Sequence, residues 1–191
     1  MINSNIEPPK ALTLWEENGT EKEIFYKSMQ YARTSTKESK ILSTHYKIIH
    51  NIWPTKEKRF HWKLENNDLC HCNSRDTIIH TLCECEDTKI FLEKAFTYLD
   101  KENTYSHTLN YEHFIFGIEF PAWNLIFLVL KWYIVTRRVK GNTLNIQNFK
   151  HHLFQRIISE KQILSTYKFN EKWNGFEWLI EDSQSYCNWD N

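Results

Sequence analysis

The chain has 191 residues, 15% of them aromatic, with only four Gly and four Pro. A disordered chain would carry fewer large apolar groups, and a turn-rich β fold would need more breakers, so the composition points to a folded, mostly α protein of one domain or two small ones. The net charge of zero hides two basic blocks around an acidic one. Tyr31–Lys63 carries eight Lys/Arg against two Glu, Leu64–Glu119 eleven acids against four bases, and Lys131–Lys161 seven bases against one acid. Basic blocks of this kind suggest local contacts with anions, although solvated helix faces give the same pattern.

In chain order, residues 1–20 read as an irregular lead-in, broken at Pro8, Pro9 and Asn18-Gly19. A helical segment occupies residues 21–100. Lys22–Tyr31 suits a short helix, and Thr36–Trp53 a better one. There Ile41, Leu42, His45, Tyr46, Ile48, Ile49 and Ile52 recur at three- and four-residue spacing, and Pro54 should end the helix. Lys56–Leu64 suits a further short helix and Lys89–Leu99 a longer one. Residues 101–112 are expected to be a linker. The C-terminal helical region, 113–191, opens with Phe114–Phe120 and continues as a buried helix from Ala122 to about Arg138, ended by Gly141-Asn142. Ile146–Tyr167 is the last long helix. The tail beyond Asn170 is aromatic and acidic, and either packs back or frays. His45, His50, His107 and His113 read as core edges or solvent. The expected architecture is a helical domain with a small insertion and a C-terminal helical bundle.

That insertion holds four of the five cysteines within CHCNSRDTIIHTLCEC (70–85). Cys70, Cys72, His80 and Cys85, spaced C-x-C-x7-H-x4-C, form a ligand set that suits structural Zn2+, which favours four thiolate or imidazole ligands in a tetrahedron. His80 and Cys85 are five residues apart, so a regular helix cannot aim both at one point and the backbone must break before Cys85. Cys83 competes with Cys85 if the helix runs on. His71, lying between two ligands, should point away. The N-terminus has no signal-peptide core, and no apolar run is long enough to span a membrane. The expected location is therefore intracellular, in nucleus or cytoplasm, where clustered cysteines are more often metal ligands than disulfides.

YKIIHNIWPTKEKRFHWKL (46–64), DLCHC (68–72) and TIIHTLCEC (77–85) together resemble the region after the polymerase in non-LTR (LINE-type) retrotransposon reverse transcriptases. That region carries a C-C-H-C zinc-knuckle-like motif behind a helix of the pattern YKILH-x-I-x-PT. The x7 and x4 spacings agree with it, whereas C-x-C is shorter than the C-x2-C or C-x3-C pair usual there. WNLIFLVLKWYIVTRR (123–138), FKHHLFQRI (149–157) and KWNGF (172–176) resemble the helical tail of the same elements, so the likeness covers roughly residues 22–176.

The resemblance implies a grip on RNA template or target DNA, and a polymerase portion of the same or a related element as a further partner. The chain has no Y-x-D-D. It also lacks the P-D and D/E-x-K signature of the endonuclease found in some elements, since Ala122 follows Pro121 and Asp182 stands without such partners. The expected function is accordingly non-catalytic. Lys56, Lys58, Arg59, Trp62 and Lys63, with Arg137, Arg138 and Lys140, are the candidate nucleic-acid contacts. Phe60 and Trp62 read as core residues at least as readily as stacking platforms, and the cations at 137–140 also suit a helix C-terminus. Lys150, His151 and His152 offer a weaker second basic surface. The alternative is a zinc-stapled helical module that binds protein through Phe176, Trp178 and Trp189.

Overall fold

The computed structural model describes residues 9–100 and 111–187. Among them are ten α-helices, one π-helical turn and, in place of strands, a single isolated bridge between Leu69 and Arg75. The expected residues 101–110 of the linker, His107 and Trp189 lie outside the described residues.

The fold is built around one helix, α7 (Pro121–Val139), with Pro121 at its first turn, where a missing N–H costs nothing. Every residue from Ala122 to Val135 is buried. A helix apolar on all sides needs partners all round. They are α2 (Lys22–Ser35), α3 (Ser39–Ile49), α6 (Tyr111–Phe116), α8 (Ile146–Ile163) and a π turn (His80–Glu84). α5 (Glu86–Leu99) follows the π turn and packs on it and on α8. Helices from both sides of residues 101–112 share one continuous hydrophobic core.

Three boundaries depart from the sequence reading. The lead-in is helical from Lys10 to Glu17 (α1), because Leu12 and Trp15 lie one turn apart and both bury, and the Trp15 indole donates to the Ile49 carbonyl at 2.7 Å. Thr36–Trp53 gives a helix only over Ser39–Ile49. Asn51 takes a left-handed φ of 50°, with Ile52 N–H bonded to Lys47 O and Asn51 N–H to Ile48 O, so α3 is closed by a Schellman motif before Pro54 can act. The last long helix stops at Ile163. Leu164 turns extended, and Ser165 caps a new helix, α9 (Thr166–Lys172). The tail packs back as α10 (Glu177–Cys187) against α8, burying Phe176 and Leu179.

α4 (Lys56–His61) precedes the cysteine cluster, with the Thr55 hydroxyl accepting from Lys58 N–H at its start. It ends in the same motif as α3, with Lys63 at φ 61°. Among the described residues, no helix is long and apolar enough to cross a membrane.

Candidate metal centre

Two short backbone devices bring the four ligands together. Cys70 and Cys72 sit on a tight turn in which Cys70 N–H bonds to Ser74 O and Asn73, at φ 65°, donates back to Cys70 O. His80 and Cys85 flank the π turn. Cys85 N–H donates to His80 O at 2.9 Å, a bond spanning the same five residues that separate the two ligands. Cys85 then leaves the helix (φ −62°, ψ 131°) and begins α5. The break expected before Cys85 is thus a widened turn followed by an extended residue.

The three sulphurs and one imidazole nitrogen all lie within 4.8 Å of one another. Cys70 Sγ and Cys85 Sγ are 3.8 Å apart, and Cys72 Sγ is 3.2 Å from His80 Nε2. A tetrahedron with metal–sulphur bonds of about 2.3 Å has sulphur–sulphur edges of about 3.8 Å, so the spacing suits a single ion. Cys70, His80 and Cys85 are buried, and Cys72 is the most open. These residues could hold a metal ion. Cys83 stands outside the group. It packs against the core, and burial pushes its thiol far up, so it stays protonated.

Electrostatics favour ligation at His80, whose burial lowers its pKa and leaves a neutral ring with Nε2 toward Cys72. Its Nδ1 lies 3.9 Å from the Glu84 carboxylate, which orients the ring. Burial raises Cys70 to about 11. Burial acts on Cys72 in the same direction, but hydrogen bonds from the Ser74 backbone and from neighbouring side chains outweigh it and hold that thiol below its ordinary value. His71 does not join the four, yet it does not simply point away. Its Nδ1 meets Cys70 Sγ at 3.3 Å, and its Nε2 meets Asp87 at 2.7 Å.

Arg138, expected at a phosphate, faces the sulphurs instead. Its Nη1 donates to Cys85 Sγ at 3.0 Å and its Nη2 to Cys70 Sγ at 2.7 Å, with the side chain only 12% exposed. Three thiolates and an imidazole around a divalent ion carry one net negative charge, which one guanidinium neutralises. Asp76, which nothing in the sequence marked out, ties the surroundings together. It accepts from the Lys56 N–H at the start of α4 and from the Thr81 hydroxyl in the π turn, and it lies 3.7 Å from Arg138. Arg138→Gln should speed metal release to a competing chelator about 10–100-fold, with helical circular dichroism unchanged. Arg138→Lys should restore only part of the loss, because a point charge cannot straddle two sulphurs. Release at the parent rate in Arg138→Gln would remove this role.

The other candidate contacts are dispersed around the centre. α4 buries none of its residues, and Phe60 and Trp62 are 41% and 51% exposed, so their reading as core residues fails. Lys56 and Lys58 are half-buried and Lys63 is exposed, while Arg59 pairs with Glu65 at 2.9 Å. Arg137 donates to Thr143 O, and Lys140 is exposed at the end of α7. Lys56, Arg59 and Arg138 line one cavity of about 340 Å³, so the two basic blocks meet at the cluster. The weaker surface is used internally, with Lys150 over the Tyr98 ring and His152 edge-on to Trp132. No family model, curated protein or solved structure matches the chain.

Proposed function

We propose that the chain is a zinc-stapled, non-catalytic module that grips single-stranded nucleic acid, RNA template or target DNA, of the kind found after the polymerase in LINE-type reverse transcriptases. The observation that carries this reading is the gathering of Cys70, Cys72, His80 and Cys85 around one point directly behind a protruding basic, aromatic helix. Thiolate and imidazole donors suit Zn2+, and four protein ligands leave no open position for chemistry. A polymerase portion of the same element is the natural neighbour, and a reducing compartment, nucleus or cytoplasm, the natural setting for such thiolates.

Support for the grip comes from α4 and the turn after it. Phe60 and Trp62 present open ring faces, with Lys56, Lys58 and Lys63 interleaved, which is the combination that neutralises phosphates while stacking unpaired bases. The zinc-loaded full chain should bind a fluorescein-labelled 20-nucleotide RNA or DNA strand at 50 mM salt and lose affinity steeply by 200 mM. Trp62→Ala should weaken binding by about 1–3 kcal/mol per base stacked. Lys58→Ala with Lys63→Ala should reduce the salt slope by about 1.4. No binding of either strand at 50 mM salt would end this reading.

A second reading, protein binding, has one observation in its favour: Leu64 and Leu69 lie 70% and 40% exposed close to Trp62. The anchors first expected for it are otherwise used, since Phe176 is buried against Trp123 and Trp178 packs on the core.

A further inference from the structure

The cavity beside the metal centre has walls of Trp53, Pro54, Val135, Val139 and Leu144, with Lys56, Arg59 and Arg138 among its polar residues. Its carboxylates are already engaged. Asp76 accepts from Lys56 N–H and Thr81, and Asp87 pairs with His71. Two of its donors have no partner. Trp53 Nε1 and Arg59 Nε are both buried N–H groups without a hydrogen bond. A buried donor left unpaired costs about 1–3 kcal/mol, so two on one cavity call for a ligand that brings acceptors. The apolar walls disfavour a fully charged group and favour a flat, weakly polar one. A volume of about 340 Å³ lies at the small end of ligand pockets, which run from about 300 to 1,000 Å³.

We infer that this cavity is a pocket for one unpaired nucleobase, held through acceptors on its edge by Trp53 Nε1 and Arg59 Nε. Lys56 on the same wall supplies charge for the adjoining phosphate. Base recognition by this means is how single strands are read, the base being splayed out of the stack and its edge hydrogen-bonded. The inference deepens the strand-gripping reading and rests on it for the source of the base. The pocket itself is tested separately.

The first measurement follows the Trp indole N–H resonances of the zinc-loaded full chain by NMR, with Trp53 assigned through Trp53→Phe, which keeps a ring and removes the N–H. UMP, CMP, AMP and GMP are added in turn, with ribose 5-phosphate as the control. The Trp53 signal should move with at least one nucleotide and stay still with ribose 5-phosphate. A signal unmoved by all four nucleotides, or moved equally by the sugar phosphate, overturns the pocket even if oligonucleotides bind elsewhere on the surface. The second measurement compares intact and abasic 10-nucleotide RNA. Trp53→Phe should weaken binding of the intact strand about tenfold or more and leave the abasic strand unaffected, and equal loss for both strands overturns base insertion. A pocket that takes mononucleotides in a chain that binds no strand would sustain this inference and sink the strand-gripping one.

Discussion

One zinc ion per chain, retained in Cys83→Ser and lost in Cys85→Ser, is the expected result of metal analysis on the purified protein. The two cysteines are two residues apart, but the π turn aims them differently. Cys85 Sγ reaches the other ligands, whereas Cys83 lies against the core. Structural zinc in small sites contributes apparent binding free energies of about 10–16 kcal/mol, comparable with the entire stability of a domain, about 5–15 kcal/mol. Removing it also strips Arg138 of the thiolates that balance its charge, leaving a half-buried guanidinium with Asp76 at 3.7 Å. Chelation, or Cys85→Ser, should therefore lower Tm by well over 10 °C, at roughly 2–4 °C per kcal/mol for a chain of this size. Cys83→Ser should cost far less, only the burial of one hydroxyl. Full zinc content in Cys85→Ser, or a melt indifferent to chelator, would dismiss Cys85 as a ligand.

Lys131→Met should raise stability at pH 7 by several kcal/mol and flatten its dependence on pH. Lys131 is 1% exposed in the middle of α7, with its Nζ bonded to Ile115 O at 2.5 Å and to His45 Nδ1 at 3.1 Å. Burial lowers its pKa from the ordinary 10.5 to about 7. His45, whose Nε2 meets the Ser28 hydroxyl at 2.9 Å, is lowered well below 6.5, first by burial and then by Lys131. Both groups hold a proton more tightly in the unfolded chain. For Lys131, stability is complete above pH 10.5 and is lost as pH falls to about 7, below which the full penalty remains. For His45 the loss begins below about pH 6.5, so the two add in the same direction. At about 1.4 kcal/mol per pH unit, the lysine window spans roughly 5 kcal/mol. Urea midpoints at pH 7, 8.5 and 10 should climb in the parent and stay nearly level in Lys131→Met. Parallel curves would show that the ammonium carries no such penalty.

Lys131 also shows where the sequence stops being informative. Read along the chain, it closes the apolar run LIFLVL and counts toward a basic block, and only the packing of α2, α3 and α6 around α7 reveals it as interior. Arg138 misleads in the same way. A cation in the last turn of a helix has a sufficient local explanation, while its partners, Cys70 and Cys85, lie 68 and 53 residues away. The ligands themselves were legible because their chemistry is dense and local, and the five-residue gap from His80 to Cys85 already required a non-α turn. α7 was legible from its length and its Pro121 start. The ends of α3 and α4 were not, because each is closed by a left-handed residue other than Gly, Asn51 and Lys63, whose role depends on backbone bonds rather than residue type. α1 was masked by flanking breakers that bound the helix instead of preventing it.

The single helix α7 carries both Lys131, fixed in the interior, and Arg138, fixed on the sulphurs, seven residues and about two turns apart. Their relative phase is set by the number of residues between them. One residue added or deleted there would swing Arg138 about 100° around the axis, off the cluster, without altering any ligand. Length changes in this chain should accordingly be tolerated in the exposed turn at Gly141–Thr143 and rejected between Lys131 and Arg138, whatever residue is inserted.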